Sequence, residues 1–339
     1  MSETREILVT VPFTAEQLDE LRGISAEMNV RSLPLGEGQS APEDAWLNAE
    51  VLYTFRALPT PEQAPNLKWI QFHLAGVDQQ ISAPILGKPG LLATTLSGAN
   101  APQVAEHALA LMLALGHHVH YMLHDQGRAV WSTQRSERYQ ARELLNATVG
   151  IVGYGSIGQR LARLVQPFHV RILASRRDLL APASEDFEVN GQGDAKAELV
   201  HRMYPGKAIG TMISECDFVV VTVPLTDETR GMLGARQLSA FKPGALLVDV
   251  SRGGVVDHAA LIQALEKRQL GGAALDVFPE EPLPADSPLW GMNNVIVSPH
   301  VAGLSPHYNA RAFQLFKENL RRYVAGEKLF NTIDLARGY

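Results

Sequence analysis

Cysteine is nearly absent: Cys216 is the only one in 339 residues, so no disulfide can form within the chain, and a reducing, cytoplasmic setting suits such a protein. Long apolar runs are lacking too. The longest candidate, Ala108 to Leu115, falls far short of the roughly 18 residues a membrane span needs and reads as a buried helix. The start, Met1-Ser2-Glu3-Thr4-Arg5-Glu6, has neither the basic region nor the apolar core of a secretion signal. There is no excess of positive charge. The formal net charge is −6, which argues against the concentrated basic face that nucleic acid requires. Apolar residues make up 46% and charged residues 19%, as in a well-packed globule that is long enough for two domains. No internal repeat is visible.

What is present is an alternation of apolar runs and helical stretches, the pattern of a parallel α/β sheet. Near the start the strand candidates are 7–11, 49–54 and 67–72, with Thr14-Ala15-Glu16-Gln17 opening a helix. Pro102 then opens an apolar helix that runs to about Gly116; being apolar on most faces, it must be covered on several sides. From residue 148 the alternation restarts, with strand candidates at 149–152, 170–174, 218–223, 245–250, 272–276 and 295–297. These near-continuous apolar runs suit strands covered on both faces. Asp257 sits where a helix N-cap belongs, and Gly271-Gly272 would end that helix. An amphipathic helix from Pro306 to about Ala325 closes the pattern. Residues 181–209 show no period and read as a surface excursion.

Gly153-Tyr154-Gly155-Ser156-Ile157-Gly158 is a G-x-G-x-x-G that follows a strand and opens a helix, the context in which the pattern binds a dinucleotide. Gly153 permits the tight turn, Gly155 lets backbone approach a pyrophosphate, and Gly158 allows close helix–strand packing. The next strand ends at Ser175-Arg176-Arg177, where NAD-binding versions place an acid for the ribose hydroxyls. Guanidinium groups there attract a 2′-phosphate, so the expected cofactor is NADP(H), with NAD(H) possible. Asp178 would restore an acid if the register shifted by three residues. Two solvated surface arginines are the plainer alternative.

Three polar groups stand just past three successive apolar strands: Arg252 in Asp249-Val250-Ser251-Arg252-Gly253-Gly254, Glu281 in Glu280-Glu281-Pro282, and His300 in Ser298-Pro299-His300. Ligands of open parallel sheets bind outside the carboxyl ends of the strands. Reduction of a 2-oxo acid needs a permanent cation for the carboxylate and a group that protonates the carbonyl oxygen as hydride arrives. Arg and His supply these, and a carboxylate can orient the imidazole. Each residue alone has a bland structural reading; together, behind a dinucleotide fold, they read as a catalytic set.

At these motifs the chain resembles the D-isomer-specific 2-hydroxyacid dehydrogenase family. The matching stretches are 74–78, 104–110, 149–158, 223–226, 248–257, 274–282 and 298–303. The resemblance implies an α/β fold in which a Rossmann-type cofactor domain, residues 102–302, is inserted into a flavodoxin-like substrate-binding (catalytic) domain of residues 1–101 and 303–339. It implies Arg252 as substrate-binding cation, His300 as acid/base and Glu281 as its partner, chosen over Glu280 because the family's acid directly precedes the proline. It further implies that backbone at Gly76 and Val77 holds the substrate carboxylate. Thr222, Val223, Pro224, Ser251 and Gly303 would line the cofactor and Asp276 would contact the nicotinamide amide. His107 looks structural. The implied assembly is a homodimer paired with help from the helix after Pro102; the implied partners are a small 2-oxo or 2-hydroxy acid, with no nucleic acid, membrane or metal.

Ser175-Arg176-Arg177 is similar to the NADP-preferring glyoxylate and hydroxypyruvate reductases of this family. The 181–209 excursion would then lie beside the adenosine end of the cofactor, with Arg202 or Lys207 near the phosphate. Glu281 stands where the formate dehydrogenase branch has Gln, and no regulatory domain follows as in feedback-controlled phosphoglycerate dehydrogenases. Two other functions stay open: an NAD-dependent dehydrogenase of a different D-2-hydroxy acid, and a nucleotide-sensing scaffold like the family's corepressor relatives. The substrate side chain would meet N-terminal loops, with Arg56, Trp69 and His73 as candidates.

Overall fold

The computed structural model describes residues 4–36, 38–179, 187–191 and 193–334. The chain forms two compact units, one of Met1–Asn100, Glu185–Phe187 and Ser305–Tyr339, the other of Ala101–Ser184 and Glu188–Leu304.

The first unit is built on five strands: β1 Arg5–Val9, β2 Met28–Ser32, β3 Val51–Thr54, β4 Trp69–Phe72 and β5 Leu92–Thr94. They lie in the order β2-β1-β3-β4-β5, all parallel, which is the flavodoxin-like doubly wound order that the family resemblance implied. Alternate side chains supply two apolar layers. Leu8, Leu52 and Ile70 face one core cluster, while Ile7, Val9, Val51, Tyr53 and Trp69 face another that includes Phe313, Phe316 and Leu320 of the C-terminal helix. That helix, Tyr308–Ala325, ends at Gly326, whose φ of 70° is left-handed. Thr14 caps the first helix, Ala15–Arg22, in a reciprocal capping box with Gln17.

Two expected pocket residues of this unit are not surface groups. Trp69 is fully buried, its indole N–H donating to Thr94 Oγ1 at 2.8 Å. His73 is buried as well, its Nδ1 2.5 Å from the Tyr53 hydroxyl, and burial lowers its pKa. Both point into the core because they lie on or just after a central strand. Arg56, by contrast, helps line a cavity of ≈ 510 Å³ at the carboxyl ends of β1 and β3.

The second unit holds seven strands: β6 Thr148–Val152, β7 Arg171–Arg176, β8 Arg202–Pro205, β9 Phe218–Val221, β10 Leu246–Asp249, β11 Gly272–Leu275 and β12 Val295–Val297. Their order is β12-β11-β10-β9-β6-β7-β8. Outward from β6 the chain runs first to β7 and β8 and then, on the other side, through β9 to β12. This is the Rossmann order with one strand added, and it makes β6/β9 the switch point. The apolar helix Ala101–Gly116 packs on the helix Ser156–Val165 and on β10 and β11 of its own unit, burying Val104, Ala108, Leu111, Met112 and Leu115.

Two expectations for this unit need correction. Residues 180–186 and 192 lie outside the described residues, but the rest of the 181–209 stretch is no mere surface excursion. Arg202–Pro205 is the edge strand β8, paired with β7 from Leu173↔Arg202 to Arg176↔Pro205. It has a neighbour on one side only, so it needs no apolar run. The helix His258–Glu266 starts at the Asp257 N-cap as expected, yet stops at Lys267 because Arg268 turns left-handed, with φ 54°, ahead of the two glycines.

Candidate active site

The glycine motif forms the turn from β6 into the helix Ser156–Val165. Gly153 has φ +102°, and a Cβ there would lie 2.6 Å from Val223 Cγ1; one at Gly158 would lie 2.3 Å from the Gly153 carbonyl oxygen. Neither position admits a side chain. Gly155 is different. Its φ is −90°, and a Cβ would meet nothing within 4 Å, so neither strain nor packing calls for glycine. Open space beside a helix N-terminus fits a bound phosphate that needs the backbone itself. The inner side of the turn is pinned: Gly153 N and Tyr154 N donate to Ser175 O at 3.2 and 3.0 Å, and Thr222 Oγ1 donates to Gly153 O at 2.7 Å. Ser156 and Ile157 are half-buried at the start of the helix, and Val223 and the exposed Pro224 follow Thr222 at the end of β9.

At the end of β7, Ser175 is buried, Arg176 half-buried and Arg177 exposed. Arg177 Nε lies 2.9 Å from Glu228 Oε2. Asp178 stands beyond the strand, whose last residue is Arg176. Arg202 lies beside Leu173 rather than beside Arg176, away from the carboxyl end of the sheet, and stacks over the Tyr204 ring at 4.6 Å. It is therefore not placed to meet a phosphate at Arg176. Lys207 follows β8 in a short 3-10 turn.

Arg252, Glu281 and His300 each follow the carboxyl end of one of three neighbouring strands, β10, β11 and β12. The Arg252 turn and the Glu281 turn meet backbone to backbone: a Cβ on Gly253 would lie 1.8 Å from the Phe278 carbonyl oxygen. Glu281 is held at both oxygens, Oε1 accepting from Phe278 N at 3.0 Å and Oε2 lying 2.8 Å from His300 Nδ1. The Glu281–Pro282 peptide is cis. His300 has a left-handed φ of 53°, a conformation that costs of order 1–3 kcal/mol and persists only where the surroundings enforce it. Asp276 enforces it here. Its Oδ1 accepts from Ser298 Oγ at 2.6 Å and Val301 N at 3.0 Å, and its Oδ2 from Ala302 N at 3.0 Å.

His107 Nε2 adds a contact to Ser298 Oγ at 3.2 Å, a structural place. Arg252 donates from Nη1 to Ser251 O at 2.8 Å. The Ser251 hydroxyl is engaged by Asp249 Oδ1 at 2.5 Å, and Gly303 O accepts from Gln103 at 2.9 Å. Gly76 and Val77 belong to the first unit, in the loop after β4, where Val77 is buried. Sequence reasoning did not single out Asp249, Asp194 or Gln159. Asp249 follows three apolar residues at a strand end, which is the one available signal.

Among the described residues no helix is long and apolar enough to cross a membrane, and no group of three or more His, Cys, Asp or Glu could hold a metal ion.

Residues 109–302 match the family model described as D-isomer specific 2-hydroxyacid dehydrogenase, NAD binding domain. A glyoxylate reductase of Korarchaeum cryptofilum is 35% identical over 273 residues, covering 78% of this chain and 76% of the relative. An (S)-sulfolactate dehydrogenase of Chromohalobacter salexigens is 35% identical over 226 residues, covering 67% of this chain and 68% of the relative. A crystal structure of a D-isomer specific 2-hydroxyacid dehydrogenase from Xanthobacter autotrophicus, in complex with NADPH and MES, superposes with a TM-score of 0.79 at 27% identity, covering 99% of this chain and 100% of that one.

Proposed function

We propose, for a chain that belongs to the D-isomer-specific 2-hydroxyacid dehydrogenase family, the NADPH-preferring reduction of a small 2-oxo acid, such as glyoxylate or hydroxypyruvate, to the 2-hydroxy acid, the D isomer wherever C2 becomes a stereocentre. Membership makes the chain an NAD(P)-dependent oxidoreductase; the substrate, the preference and the residue roles are our reading. The observation that carries it is the His300–Glu281 contact of 2.8 Å beside Arg252, at the carboxyl edge of the sheet that also bears the glycine turn.

With Nδ1–H donated to Glu281, His300 keeps Nε2 for the substrate. In the reducing direction Nε2–H gives its proton to the carbonyl oxygen and leaves a neutral ring; in the reverse direction neutral Nε2 takes the hydroxyl proton. Arg252, a permanent cation, grips the substrate carboxylate with its fork of donors. The reduced nicotinamide, when bound, supplies the hydride to the carbonyl carbon. The turn 153–155 and the N-terminus of the helix Ser156–Val165 would hold its pyrophosphate, with Thr222, Val223 and Pro224 alongside and Arg176 and Arg177 toward a 2′-phosphate. A relative named glyoxylate reductase and a neighbour solved with NADPH support this choice. Pairing of two copies into a homodimer is part of the same reading.

One observation favours a second reading, an NAD-dependent dehydrogenase of another D-2-hydroxy acid: Glu228 sits against Arg177, where its carboxylate opposes a phosphate.

The test is reduction of hydroxypyruvate with NADPH, followed by chiral chromatography of the product, for the parent protein and His300→Asn. The proposal expects the D isomer, and a loss of about 10²–10⁴ in kcat for the variant with NADPH binding retained. An L product, or a variant as fast as the parent, contradicts it.

A further inference from the structure

The residue between the first two motif glycines does not face the phosphate side. Tyr154 is 6% exposed, and its hydroxyl donates to Asp194 Oδ2 at 2.5 Å. Asp194 N donates to Gln159 Oε1 at 2.8 Å, and Gln159 Nε2 donates back to Tyr154 O at 3.5 Å. These bonds close a ring of three buried polar residues directly on the glycine turn. Asp194 is held from the other side as well. Its Oδ1 accepts from Glu198 N at 2.9 Å and its Oδ2 from Leu199 N at 3.0 Å, while Arg163 donates to the neighbouring Gly193 O at 2.7 Å. Ala197, Leu199 and Val200 then pack onto the same core cluster as Tyr154.

A turn that presents bare backbone to a pyrophosphate cannot be stiffened from its ligand side, where Gly155 leaves open space. Its shape has to be set from inside. A buried hydrogen bond to a carboxylate is stronger than one between neutral groups, and it also keeps the Tyr154 ring from swinging out over the phosphates. Preorganisation of this kind appears as affinity rather than as chemical rate.

We infer that Asp194 is a positioning residue for the dinucleotide, acting through Tyr154 and Gln159, so that the 193–200 segment latches the glycine turn in its binding shape. The inference rests on the dinucleotide-binding reading above and extends it to Asp194 and Gln159, which lie outside the glycine turn.

The experiment compares the parent protein with Tyr154→Phe, Asp194→Asn and the double variant, in two measurements. The first is the Kd for NADPH by nicotinamide fluorescence, alongside kcat and KM. The second is amide hydrogen exchange at residues 153–157 in the cofactor-free protein. The latch predicts that Tyr154→Phe, which removes a single hydroxyl and keeps the buried ring, so that it folds even where Asp194→Asn does not, weakens NADPH about tenfold. It predicts kcat within about twofold, since the chemistry lies elsewhere, and faster exchange at the turn. It further predicts that the double variant binds no worse than the weaker single variant, because both changes act on the shared Tyr154–Asp194 contact. Unchanged exchange at 153–157 in Tyr154→Phe overturns the latch, whatever the affinity does. A parent protein that binds neither NADPH nor NADH counts against the proposed function instead, and the exchange measurement still decides the latch.

Discussion

At the ends of β10 and β11 stand Asp249 and Asp276, both buried, and each holds a turn that carries a proposed catalytic residue. Asp276 spends its oxygens on the His300 turn. Asp249 Oδ1 accepts from Ser251 N at 3.0 Å and from Ser251 Oγ, just ahead of Arg252, while its Oδ2 has no hydrogen-bond partner among the described residues. Burial pushes the Asp249 carboxyl up to about 7; the Ser251 bonds oppose the shift and the nearby Asp276 adds to it. A carboxyl raised in the folded state binds its proton more tightly there than when unfolded. Its contribution to stability is therefore full below the ordinary carboxylate range and is lost as pH climbs toward 7, by up to about 1.4 kcal/mol per pH unit. Asp249→Asn, neutral at every pH, is expected to flatten that slope in urea unfolding and to exceed the parent in stability at alkaline pH; an unchanged slope contradicts the assignment. Glu228 gives a second prediction. Glu228→Gln removes the carboxylate beside Arg177 and should lower KM for NADPH about threefold, the scale of one exposed charge pair, with little change for NADH. A higher KM for NADPH would show that Glu228 supports the phosphate site through Arg177.

Among elements, what could be read from the sequence follows from how each one is covered. Strands β6, β7 and β9 to β11 have a paired strand on either side, and their apolar runs announce them; β12, an edge strand paired only with β11, still shows itself through Val295-Ile296-Val297. Edge strand β2, Met28–Ser32, alternates buried and exposed side chains, β5 has three residues, and β8 carries Arg202 and Pro205; none offers a run to detect. The helix Ala101–Gly116 was expected to help pair subunits. Its apolar side chains are consumed largely by its own unit, while a cluster in sequence of exposed apolar residues follows it: Val119, Met122, Leu123, Val130 and Trp131. The proposed homodimer would bury these. Leu123→Glu is expected to shift sedimentation velocity from dimer toward monomer, whereas a monomeric parent protein, or a variant that stays dimeric, contradicts this surface.

For the molecule as a whole, two parallel sheets and the order of motifs along the chain were legible because each motif pairs a backbone requirement with a chemical one. Gly153, Gly158 and Gly253 stand where no Cβ fits, next to the residues that would meet phosphate and substrate. The Tyr154–Asp194–Gln159 ring was not legible: those partners lie far apart in the chain or look like ordinary polar residues, and only folding brings them together. The same holds for the Arg177–Glu228 pair, which bears on the choice between the two cofactors. The most direct test of the central claim is therefore a side-by-side measurement of kcat/KM for NADPH and NADH with glyoxylate and hydroxypyruvate. The account predicts turnover of both acids, with NADPH favoured, and loss of that preference in Arg176→Ala/Arg177→Ala. Turnover favouring NADH would contradict the phosphate site while keeping the catalytic set, and no turnover with either cofactor would contradict the proposed reaction.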